Sequence, residues 1–162
     1  MRILGIDPGI ARCGWGVIEV KSSDFKVQSY GCIETDSKVD IPKRLLTIYQ
    51  ELINLIDTYK PDAVIVEELF FNTNSKTAFI VGQARGVILL SAAQRGLESF
   101  TYTPLQVKLA VTGYGRAEKS QIGQMVKMIL HLESIPKPDD VADALAVALT
   151  HGLSYKMINK GK

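Results

Sequence analysis

Three placements of acidic residues set the chemistry this chain could do. Asp7 is the first acid after the apolar run Ile3, Leu4, Gly5 and Ile6, and Glu67 is the first after Ala63, Val64, Ile65 and Val66. Acidic side chains belong in water, so a carboxylate at the end of a buried strand asks for a reason. The third placement is Asp139, Asp140 and Asp143, where the last helical stretch begins. Asp140 and Asp143 are three residues apart and share one helix face. Gathered in one place, Asp7, Glu67, Asp140 and Asp143 could not all stay ionised, because like charges raise one another's pKa. A divalent cation relieves that repulsion. Carboxylate oxygens without histidine or cysteine partners favour magnesium, with manganese as a substitute, over zinc. Two such ions about 4 Å apart form a recurrent device for in-line phosphodiester cleavage. Taken singly, each acid also fits plain turn or helix-dipole chemistry. Three placements in one short chain favour the metal site. Asp139 reads as complementing the helix dipole and Glu68 as solvated, although the residues alone leave both pairs, Glu67 or Glu68 and Asp139 or Asp140, open.

The elements must bring these acids together. Residues 2–6 read as a buried strand closed by Pro8 and Gly9. Residues 15–20 and 27–33 alternate apolar and polar, which predicts an antiparallel meander. Asp40 and Pro42 look like the N-cap and first turn of a helix whose apolar residues at helical spacing are Leu45, Ile48, Tyr49, Leu52, Ile53, Ile56 and Tyr59. Residues 63–66 form a second continuous apolar strand. A helix from Ser75, its expected cap, to Arg95 follows, then a short strand over residues 100–102. Thr103 and Pro104 begin another helix, Gly113 to Gly115 break the chain, and Ile122, Met125, Val126 and Ile129 mark the next. Pro136 and Pro138 open the last helix, and Gly152 is expected to close it. The pattern is α/β: a five-stranded mixed sheet flanked by helices. If the strands ending in Asp7 and Glu67 are parallel neighbours, both acids leave the same end of the sheet, where open α/β folds place their sites. Ala142, Ala144, Ala146 and Ala148 would let the last helix lie close to that sheet.

The bulk properties bound these readings. A chain of 162 residues suits one nuclease domain, taken as 1–155, with a basic tail at 156–162. No apolar run could span a bilayer and the start lacks signal-peptide features, so a cytoplasmic protein is expected. Cys13 and Cys32 match no zinc spacing and should be free, with Cys13 a packing residue. The net charge of +2 does not announce a nucleic-acid binder. Its distribution says more, since Lys108, Arg116, Lys119 and Lys127 fall in a stretch whose sole acid is Glu118. Gly82, Ala84 and Gly86 form a small-residue stripe that suits a subunit interface or tight packing on the sheet.

Five segments, residues 5–9, 66–70, 82–86, 117–121 and 140–145, resemble in order and spacing the signature segments of the RuvC family of crossover junction endodeoxyribonucleases. The resemblance implies a ribonuclease H-like fold and a homodimer. It further implies Mg²⁺-dependent symmetric nicking of two like-polarity strands of a four-way (Holliday) junction, leaving 5′-phosphate and 3′-hydroxyl ends. By position, the family's catalytic acids fall on Asp7, Glu67, Asp140 and Asp143; Glu68 stands where some members carry glutamine. Lys108 and Lys119 match positions near the site and could anchor phosphates. Phe70 is expected to stack on an unpaired base, Phe71 to pack, and Lys76 and Arg116 to touch the DNA backbone. The branch-migration proteins RuvA and RuvB are implied partners. Two rivals remain. One is another ribonuclease H-like nuclease. The other is an actin-like nucleotide-binding module, which the short chain and the lack of a second phosphate loop disfavour.

Overall fold

A continuous apolar strand followed by two more polar ones forms the first hairpins. Strands β1 (Arg2–Asp7), β2 (Arg12–Val20) and β3 (Phe25–Glu34) run antiparallel in sequence, with Ile6 opposite Trp15 and Gly14 opposite Cys32. In this computed structural model residues 1–22, 24–68 and 75–160 are described, without the side chains of residues 75 and 156–160. Helix α1 (Ile41–Tyr59) returns the chain to β4 (Ala63–Glu67), which pairs parallel with β1 in the register Ile6 to Val66. Helix α2 (Ser75–Gln94) leads to β5 (Glu98–Tyr102), parallel to β4. Three helices finish the chain: α3 (Pro104–Thr112), α4 (Lys119–Ile129) and α5 (Asp139–Lys160). The sheet order is β3-β2-β1-β4-β5, the mixed five-stranded sheet expected.

Side chains alternate between the faces of a strand, so each strand serves two cores. Leu4, Ile6, Val64 and Val66 face α1 and α2, packing with Ile48, Leu52, Ala84 and Ile88. Ile3, Ala63 and Ile65 face the other way, against Val107 of α3, Val126 of α4 and Val141, Leu145 and Leu149 of α5. Burial of each such aliphatic side chain contributes about 1.5–3 kcal/mol. The odd-numbered positions of β1 and β4 therefore look toward α5, and Asp7 and Glu67 are the last of them.

Close approach of α5 requires glycine. A Cβ on Gly5 would lie 2.7 Å from the Ala148 Cβ, and one on Gly14 would collide with the Asp140 carbonyl. The predicted alanines of α5 are thus met by glycines of β1 and β2, and the first turn of the helix is pressed against the sheet.

Several local expectations change. Gly152 does not end the last helix, which continues to Lys160. A Cβ there would sit 2.7 Å from Phe25 Cε1, so glycine serves contact with β3. Asp40 occupies the N-cap of α1 without a side-chain cap bond, and pairs with Lys43 at 3.6 Å instead. The cap expected of Ser75 lies outside the described residues, as do Phe70 and Phe71. By contrast, Thr103 caps α3 through Gln106, and Gly113 ends it at φ 74°, in the left-handed region glycine favours. The small residues of α2 divide: Ala84 and Ala92 are buried, while a Cβ on Gly82 or Gly86 would meet nothing within 4 Å. No described helix is long and apolar enough to cross a membrane.

Candidate active site

Strand register and helix docking place four carboxylates on one side of the sheet. Asp7 ends β1, Glu67 ends β4, and Asp140 and Asp143 lie in the first turns of α5. Glu67 is half-buried, whereas its neighbour Glu68 is exposed. The alternation that turns Glu67 inward turns Glu68 out, while the Glu68 backbone N–H donates to the Tyr102 carbonyl at 2.8 Å. Asp139 is likewise exposed and accepts a hydrogen bond from Lys137 at 2.7 Å, which holds its carboxyl below the usual range. Of the two pairs the residues left open, Glu67 and Asp140 are the members whose charges act on Asp7.

The charges of Glu67, Asp140 and Asp143 all reach Asp7. The Asp7 carboxyl is pushed up to about 8, first by burial and then by the charges of Glu67, Asp143 and Asp140. Glu67 rises to about 7, first by burial and then by Asp143. Lys119 opposes both shifts. Its ammonium donates to Asp143 Oδ2 at 3.0 Å, which raises its own pKa. Among the described residues, no three His, Cys, Asp or Glu side chains close round one point as a finished metal cage. Two of the acids are instead engaged with cations: Asp143 with Lys119, and Asp140 with Arg12, whose Nε lies 3.6 Å from Asp140 Oδ2. A cavity of 240 Å³ opens beside Asp143 and Lys119, between α4 and the start of α5.

The remaining residues singled out by the sequence lie on several different elements. Lys108 is half-buried on α3, Arg116 is exposed in the turn before α4, and Lys76 is exposed in the first turn of α2. Cys13 is fully buried on the α1 and α2 side of the sheet, and burial pushes its thiol up to about 12. It is a free, protonated packing residue, as expected, and Cys32 is free too. His131 is exposed with Nε2 3.2 Å from Asp24. His151 meets the Tyr102 hydroxyl at 3.0 Å and the Phe100 ring, and burial lowers its pKa. Neither histidine is among the groups that perturb Asp7 or Glu67. The residue that sequence reading missed is Arg12. A lone arginine after a turn carries no signal, and only the docking of α5 on β2 brings it to Asp140.

The sequence profile of crossover junction endodeoxyribonuclease RuvC matches residues 3–151. The chain belongs to the RuvC family of crossover junction endodeoxyribonucleases. It is 62% identical over 151 residues to the RuvC of Alkaliphilus oremlandii, covering 93% of this chain and 92% of that one. Thermus thermophilus RuvC superposes with a TM-score of 0.91 at 36% identity, covering 97% of this chain and 96% of that one. The same T. thermophilus protein in complex with Holliday junction substrate gives 0.89 at 34% identity, with coverage of 97% and 96%. The mixed sheet with helices on both faces is the ribonuclease H-like fold that the resemblance implied.

Proposed function

We propose that this endodeoxyribonuclease resolves Holliday junctions by nicking two strands of like polarity symmetrically, leaving 5′-phosphate and 3′-hydroxyl ends. The observation that supports the mechanism is the raised carboxyls of Asp7 and Glu67 on the α5 side of the sheet, pushed up by burial and then by neighbouring acids, Glu67, Asp143 and Asp140 for Asp7 and Asp143 for Glu67. An all-oxygen donor set of this charge fits hard divalent cations, Mg²⁺ first and Mn²⁺ in its place, with two ions held by the four acids. Bound there, such ions supply activation of the attacking water and neutralisation of charge on the phosphate and leaving oxygen. The choice of a junction is supported by the T. thermophilus relative, whose structure contains that substrate.

The chain's own groups do the rest. The buried ends of β1 and β4 hold Asp7 and Glu67 rigidly, so little reorganisation is needed at the moment of reaction. Lys119 and Lys108 supply positive charge to the scissile phosphate and its neighbours. Lys76 and Arg116 touch the backbone further out, and Phe70 stacks on an unpaired base at the junction centre. The outward face of α2, with Phe79 and Leu90 exposed beside Gly82 and Gly86, suits a second copy of the chain, and a two-fold dimer matches a two-fold junction. RuvA and RuvB act beside it in this reading, residues 1–155 make the nuclease domain, and 156–162 is a basic tail. The setting is the cytoplasm.

The test is to incubate the protein with a synthetic four-way junction and with matched linear duplex, with and without Mg²⁺. Paired, ligatable nicks in the junction alone, and only with Mg²⁺, are expected. Equal cutting of duplex, or cutting without a divalent ion, contradicts the proposal.

A further inference from the structure

Arg12 and Lys119 reach the acids from two different elements, and each takes one carboxylate of the first turns of α5. The location of Lys119 is telling. It is the first residue of α4, where the helix dipole disfavours a cation. What offsets that is Asp143, 3.0 Å away, and Lys119 is also the cation that pulls on Asp7 and Glu67. Arg12 opens β2 directly after the turn that follows Asp7, so the same turn delivers an acid and a base to one site. Both basic side chains remain largely in water, 55% exposed for Arg12 and 74% for Lys119. Ion pairs so exposed are weak and easily exchanged. A divalent ion carries twice the charge and binds carboxylate oxygens directly.

We propose that Arg12 and Lys119 are exchangeable counter-cations of the carboxylate site. They hold Asp140 and Asp143 until a divalent ion arrives, and then swing out toward the phosphate backbone. This rests on the divalent reading above and adds to it a residue, Arg12, and a competition. Without these two charges, the acids bind metal more tightly but lose the cations that the displaced heads offer to DNA. The exchange also keeps the site near charge balance in both conditions, which limits the like-charge repulsion that would otherwise push α5 off the sheet.

The experiment is calorimetric titration of Mn²⁺ into full-length protein stripped of divalent ions, with no DNA present. Wild type is compared with Arg12→Gln, Lys119→Gln, Arg12→Lys and Lys119→Arg, each first checked for an unchanged far-UV spectrum; both positions are exposed enough to tolerate the change. The two glutamine variants are expected to bind Mn²⁺ roughly two- to fivefold more tightly, the range that loss of one exposed ion pair allows. The charge-conserving variants should match wild type. Equal or weaker binding by a glutamine variant overturns the proposal for that residue while leaving the metal reading intact. Wild-type protein that binds no Mn²⁺ overturns both.

Discussion

The two faces of one sheet are built on opposite principles. On the α1 and α2 side, β1 and β4 present Leu4, Ile6, Val64 and Val66, all fully buried or nearly so, to a core of bulky aliphatic side chains. On the α5 side, the same two strands present Gly5, Asp7 and Glu67 among their apolar residues, and a helix rich in alanine packs almost backbone to backbone. The first face stabilises. The second is an apolar core as well, but glycines on its strands let the helix approach so that the acids of α5 can meet those of the strands, and it carries their repulsion. Function sits where acids and glycines interrupt the α5-side core, and apolar packing on both faces supplies the stability that makes this tolerable.

Substitutions on the two faces should therefore separate activity from stability. The largest effect is expected for Asp7→Asn. Cleavage should fall at least about a hundredfold, since even outer partners of metal ligands are worth roughly 10- to 100-fold, while junction binding persists. Stability should move the other way. The Asp7 carboxyl titrates near 8 in the fold against 3.8 as its ordinary value. Between those values the folded protein keeps a proton that the unfolded chain has released. In EDTA, stability should thus fall as pH rises through this window and level off above it. Asp7→Asn should flatten the melting-temperature profile, and an unchanged slope would place the repulsion elsewhere.

Leu4→Ala tests the opposite face. It should cost about 2–5 kcal/mol in denaturant unfolding, with cleavage per folded molecule and Mg²⁺ dependence retained. Gly5→Ala probes the close contact itself. Its methyl must displace α5, so a loss of about 1–3 kcal/mol should come with weakened cleavage, unlike Leu4→Ala. Smallest is Cys13→Ala, on the stabilising face though only a few residues from Asp7. About 1 kcal/mol of stability and no change in cleavage are expected; lost activity would give the thiol a role that its burial denies.

How much of this was legible beforehand follows the same division. The aliphatic face announces itself, because apolar runs and alternation are local signals, and every strand and helix on it was found with its ends shifted by a few residues. That Asp7, Glu67, Asp140 and Asp143 would fall on one side of the sheet was legible because two are the first acids after apolar runs and two share a helix face. What stayed hidden depends on contact between distant segments. Gly152 looked like a helix end because a glycine's reason is invisible until Phe25 packs on it. Gly5 and Gly14 carry the docking of α5, yet in sequence they are merely small. Arg12 meets Asp140 across 128 residues of chain, and nothing local to either foretells it.

The most direct measurement is anomalous diffraction from crystals grown with Mn²⁺. Manganese peaks among the carboxylates of Asp7, Glu67, Asp140 and Asp143, with the Lys119 and Arg12 heads moved off Asp143 and Asp140, are the expected result. Manganese bound elsewhere, with those four acids still holding only each other and their lysine and arginine, would contradict it.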